Sequence, residues 1–88
     1  MTAFNSLDGA DTGLFWIDRP DGNIAPSSAV TASITEMVNG NPNEGVAVLT
    51  VHNVVPQNQR IAFHCSVRDT QGNPWPQPLG YRVYYVCS

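Results

Sequence analysis

Two histidines, His52 and His64, flank a short polar segment, Pro56–Gln59. If the stretches on either side pair as antiparallel strands, both imidazoles share a face. A cross-strand histidine pair can grip a divalent metal through its neutral ring nitrogens. Two ligands are too few for a tight site. The sequence has no third histidine, and Asp69, the nearest carboxylate in sequence, falls on the opposite face of that register. Two polar side chains on a solvated sheet face is the plainer reading.

Cys65 and Cys87 are the other reactive pair. Bridged, they would close a loop of about 23 residues and stabilise the fold by roughly 3.4 kcal/mol on the chain-entropy model. Unbridged, they are two buried thiols acting as small hydrophobes. Cys65 directly follows His64, so on a strand the two point to opposite faces and form no nucleophile–base dyad. There is no Gly-rich phosphate cradle, no CxxC and no HExxH. The chain therefore reads as a non-enzyme that needs no cofactor. Asp8, Asp11, Asp18 and Asp21 form two D-x-x-D spacings whose oxygens could hold calcium. They do not match the EF-hand pattern, and Asp-Gly is ordinary turn chemistry.

Trp75 sits between Pro74 and Pro76, with Tyr81 and Tyr84 close behind. Aromatic faces on a stiff loop make a platform for a sugar or an apolar partner. The competing reading folds Trp75 back as a lid over one end of the core.

The elements that must position these residues are strands. Residues 60–69 alternate cleanly. Ile61, Phe63, Cys65 and Val67 lie on one face, and Arg60, Ala62, His64, Ser66 and Arg68 on the other. This pattern predicts a half-buried strand. Residues 46–55 are apolar on both faces, the mark of a strand covered on both sides. Opposed residues must share a face, so a three-residue loop, 57–59, predicts His52 opposite His64, Thr50 opposite Ser66, Val51 opposite Cys65 and Leu49 opposite Val67. Residues 29–38 alternate as a further strand, with Glu36 on its apolar face hinting at a twist or bulge. NGNPNEG, 39–45, reads as a hairpin loop. In a last strand, 80–87, Tyr81, Val83, Tyr85 and Cys87 point inward. Residues 1–28 read as largely irregular, punctuated by Gly, Asp, Asn and Pro, with one apolar knot at Leu14–Ile17 serving as an edge strand or plug.

Composition agrees. The 88 residues are 42% hydrophobic and only 12% charged, with formal net charge −3 and no lysine. Val, Thr, Asn, Gly and Pro outweigh the strong helix formers. No basic patch can track a phosphate backbone, which argues against nucleic acid. No apolar run approaches a bilayer span. The N-terminus lacks a basic start and a continuous apolar core, so it does not read as a secretory signal. A bridged Cys65–Cys87 pair would point to an extracellular or surface setting, and free thiols to the cytoplasm.

The expectation is an all-β chain, residues 1–88 forming one small antiparallel β-sandwich, immunoglobulin-like or fibronectin-like, with a small open β-barrel as the alternative. The function expected is a binding or structural module that works by protein–protein contact, self-association included. A carbohydrate-binding, lectin-like module using Trp75, Tyr81 and Tyr84 is the alternative.

Overall fold

A computed structural model describes residues 3–87. Seven strands run in order: β1 (Ala3–Asp11), β2 (Gly13–Pro20), β3 (Val30–Val38), β4 (Asn41–Pro42), β5 (Val48–Gln57), β6 (Arg60–Arg68) and β7 (Leu79–Cys87). They form two antiparallel sheets, ordered β1-β7-β3-β4 and β2-β6-β5. The sheets pack face to face as a β-sandwich, and their edges stay open, so the barrel alternative does not apply. Among the described residues, no helix is long and apolar enough to cross a membrane.

The alternation of 60–69 and 80–87 builds the core. Ile61, Phe63, Cys65 and Val67 from β6 meet Tyr81, Val83, Tyr85 and Cys87 from β7, and all are buried. The Phe63 and Tyr85 rings meet tilted, 5.4 Å between centroids, and Phe15 of β2 stacks on Tyr81 at 5.3 Å. These contacts fix how the two central strands face each other. They also separate the cysteines, which are both free. Phe15 pairs with Cys65 in the β2–β6 ladder, so Cys65 lies on the Tyr81 side of the Phe63–Tyr85 contact. Cys87 lies beyond Tyr85 on the other side. At about 3.3 Å per residue, four residues of strand separate them by on the order of 13 Å, against the roughly 4.4–6.8 Å between Cα atoms that a bridge needs. The disulfide reading is corrected accordingly.

The expectation that residues 1–28 are largely irregular is also corrected, since β1 and β2 occupy most of that stretch. The turn-forming residues there have other work. A Cβ on Gly9 would lie 2.5 Å from the Tyr81 hydroxyl oxygen, so only glycine lets the tyrosine ring slide beneath β1. Asp11 then accepts the hydrogen bond that the Tyr81 hydroxyl donates, at 2.7 Å. At the other end of the sandwich the Tyr85 hydroxyl donates to Asp21 at 3.1 Å. Gly9→Ala should therefore cost roughly 1–3 kcal/mol through overpacking. A urea titration showing an unchanged midpoint would contradict this contact.

Glu36 keeps its register opposite Tyr81, and no bulge is recorded in the β3–β7 ladder. Its carboxylate is buried and accepts a hydrogen bond from the Asn43 side chain, which explains an acidic residue on an inward face. The NGNPNEG stretch makes a tight hairpin back onto β3 in the same sheet. Asn39 and Gly40 have φ of 51° and 79°, the type I′ hairpin geometry. They turn the chain into the two-residue β4, after which it crosses to β5 in the opposite sheet.

Candidate contact surface on the three-stranded sheet

The β5–β6 hairpin positions the histidines, by a different device from the one expected. The turn has two residues, Asn58 and Gln59, with Gln57 paired to Arg60. The odd residue that face parity demands is placed instead in a β-bulge between Val51 and Asn53, both of which pair with adjacent residues of β6. Beyond the bulge the expected pairs all occur: Val51 with Cys65, Thr50 with Ser66, Leu49 with Val67. Asn53, not His52, stands opposite His64 in the ladder. The bulge nonetheless sends both His52 and Asn53 outward.

The roles of the two strands are also exchanged. β6, expected to be half-buried, is central and covered on both faces; its outward Ala62 and Ser66 are 7% and 2% exposed. These small side chains lie low between longer ones on the flanking strands: Leu14 and Thr50 beside Ser66, Asp18 and Val55 beside Ala62. β5, expected to be covered on both sides, is an edge strand with an open outer face.

On that outer face Trp16 and His64 lie opposite each other in the ladder and stack, 4.5 Å between centroids and 11° between planes. His52 stands beside them, its ring centroid 5.5 Å from that of His64, and its Nε2 lies 2.7 Å from the Ser66 hydroxyl. Leu14 and Trp16 are each 56% exposed, Val48 is 44% exposed, and Val46, just before β5, is 74% exposed. Asp18 is the one carboxylate on the outward positions of these three strands. The outer face of the other sheet presents Ser6, Thr31, Ser33 and Thr35 with Tyr84 and Val86, and Asp8 and Arg82 form an ion pair at 2.6 Å. The Arg82 guanidinium holds the exposed Asp8 carboxyl below the usual carboxylate range.

The structure disperses the other residues singled out in the sequence. Tyr81 is a core residue, 3% exposed, and offers no face to a ligand. Tyr84 lies on the outer face of the four-stranded sheet, lining a shallow hollow of about 260 Å³ with Thr31, Ser33 and Val86. Trp75 is half-buried in the β6–β7 loop, where its backbone bonds to Val67 and its carbonyl accepts from the Thr12 hydroxyl. Asp69 shapes that loop by accepting from the backbone N–H groups of Gln71 and Asn73. The three aromatics therefore share no platform. The D-x-x-D aspartates are likewise apart: Asp8 pairs with Arg82, Asp11 and Asp21 serve tyrosines, and Asp18 faces outward. Cys65 and His64 project to opposite sides of β6. Burial, helped by the Asp11 charge, pushes the Cys65 thiol up to about 11, which makes it a poor nucleophile at neutral pH.

Leu14–Ile17, read as an edge strand or plug, lies in the edge strand β2; sequence reasoning did not single out Leu14 and Trp16 as its outward, exposed pair. The signal was present: Leu14 and Trp16 alternate with Phe15 and Ile17, so a strand must turn one pair outward. Comparison with protein-family models, with curated proteins and with solved structures finds no match to this chain.

Proposed function

We propose that the protein is a non-enzymatic β-sandwich module that works by surface contact, and that the outer face of its three-stranded sheet docks a second copy of the same chain. The observation that supports this reading is the exposure of Leu14, Trp16 and Val48 on that face. In β5 the inner face carries Leu49, Val51 and Val54, while Val48 and Val55 face outward among Thr50, His52, Asn53 and Gln57. Leu14 and Trp16 on β2 and Val48 on β5 flank the central β6, with exposed Val46 just before β5. Exposed apolar side chains of this kind are what a contact surface requires.

One physical point favours a second copy. A chain of net charge −3 approaches itself most easily through a surface poor in carboxylates, and this face carries Asp18 as its one carboxylate beside Arg60 and Arg68. The magnitudes indicate a modest interaction. Full burial of such a side chain is worth about 1.5–3 kcal/mol, each is already partly covered, and association costs roughly 4–15 kcal/mol. The dimer should be concentration-dependent, not obligate.

Sedimentation across a range of concentrations tests the proposal. Association should weaken at least about tenfold in Leu14→Asp, since a charge in a desolvated contact costs well over the ~1.4 kcal/mol that factor represents. Trp75→Ala should associate like the parent. A strict monomer at every concentration, or association indifferent to Leu14→Asp, overturns it. Glycan binding lost in Trp75→Ala would favour the lectin-like alternative instead.

A further inference from the structure

We infer that His52 and His64 form a two-histidine site for a divalent transition-metal ion of the nickel, copper or zinc class, on the open face of the three-stranded sheet. The inference does not rest on docking of a second copy.

The first support is geometric. The bulge between Val51 and Asn53 brings His52 onto the face of His64, with ring centroids 5.5 Å apart and planes inclined by 48°. A metal held about 2.0–2.1 Å from one nitrogen of each ring, at a tetrahedral angle, keeps the centroids roughly 5.2 Å apart. The rings are already at chelating distance.

The second support is that both rings are held from behind. The His64 ring is clamped face to face against Trp16 at 4.5 Å. The His52 ring is tethered through Nε2 to the Ser66 hydroxyl at 2.7 Å, and Ser66 is 2% exposed on the central strand. With Nε2–H donating to that hydroxyl, Nδ1 carries the free lone pair and becomes the ligand. A hydrogen bond to the non-ligating nitrogen is the arrangement that orients metal-bound histidines.

The donor set selects the ion. Two neutral imidazoles suit nickel, copper and zinc and offer nothing to calcium or magnesium, which require oxygen ligands. Among the described residues no third histidine, cysteine or carboxylate joins the pair. Water or groups from a docked molecule complete the shell, and the ion is exchangeable.

Trp16 supplies the readout. In Trp75→Phe, which leaves Trp16 as the sole tryptophan, Ni²⁺ should quench the fluorescence saturably with one equivalent bound at pH 7.5. His52→Gln leaves the Trp16–His64 stack in place and should weaken binding at least about tenfold, with circular dichroism confirming that the sheet is intact. Leu14→Asp should bind Ni²⁺ like the parent even where it no longer self-associates, so the two proposals fail separately. No saturable quenching up to millimolar Ni²⁺ overturns the assignment, as does an unchanged titration in His52→Gln.

Discussion

Phe63→Ala should remove a large share of the chain's stability, about 3–5 kcal/mol. Phe63 is fully buried at the middle of the central strand of one sheet, and its ring meets Tyr85 of the central strand of the other. Truncating such a phenylalanine costs about 3–5 kcal/mol in lost burial and cavity formation. A domain of this length has a total stability of only about 4–13 kcal/mol. For a small domain, each kcal/mol lowers the melting temperature by about 4–8 °C, so a fall of at least about 12 °C is expected. Urea denaturation should show the same loss at an unchanged slope. A midpoint within error of the parent would mean that the two sheets do not meet through the Phe63–Tyr85 contact. Leu14→Ala, on the open face, is the paired control and should shift stability by less than about 0.5 kcal/mol.

Alkaline pH is the second strong lever. Three buried groups have pKa values raised in the folded chain. Burial, with the Asp11 charge, lifts Cys65 from 9.0 to about 11. Burial and the hydrogen bond to Asp11 raise Tyr81, and burial is the largest cause of the rise at Tyr85. A raised folded pKa means that the unfolded chain releases its proton first as pH climbs. The stability each group contributes is fully present below its unfolded value and is lost as pH rises toward the folded one. Stability should therefore be flat up to about pH 8.5, fall once Cys65 begins to ionise in the unfolded chain, and fall more steeply above about pH 10, when the tyrosines join. Each group adds a slope of up to about 1.4 kcal/mol per pH unit. Urea midpoints at pH 8, 9, 10 and 10.5 measure this directly. Tyr81→Phe should flatten the part above pH 10, and a midpoint constant to pH 10.5 would contradict the burial of all three groups.

The strongest alternation in the sequence was also the most legible. The inward set of 60–69 and that of 80–87 are the core. The parity argument correctly placed the far end of the hairpin, from Val51 opposite Cys65 down to Leu49 opposite Val67. It could not say where the extra residue sits, because a bulge at His52 restores the face as well as a longer turn does. The edge strands were the hard part. An edge strand packs on fewer neighbours, and among the described side chains of β1 the apolar residue packed against the core is Leu7. Its Gly9 and Asp11 are fixed by a tyrosine about 70 positions away in sequence, a dependence no local pattern carries. The apolar residues of 46–55 were read as covering both faces of one strand, but the bulge turns Val54 inward with Leu49 and Val51, and Val55 outward with Val48, and β5 lies at the sheet edge. Nothing in one chain's sequence says whether the second cover comes from that chain or from another. The same limit scattered Trp75, Tyr81 and Tyr84: neighbours in sequence, they belong to a loop, a core and an outer face.

Whether the open sheet face is the docking surface is decided by following Trp16 in the Trp75→Phe variant as protein concentration rises. Trp16 is 56% exposed in the single chain. If this face docks a second copy, its emission should shift to shorter wavelength and acrylamide should reach it less, over the same concentrations at which sedimentation records assembly. Leu14→Asp should show neither change. A Trp16 that stays equally accessible while the chains assemble would place the contact on another surface. A Trp16 that stays accessible because no assembly occurs would remove the proposed function altogether.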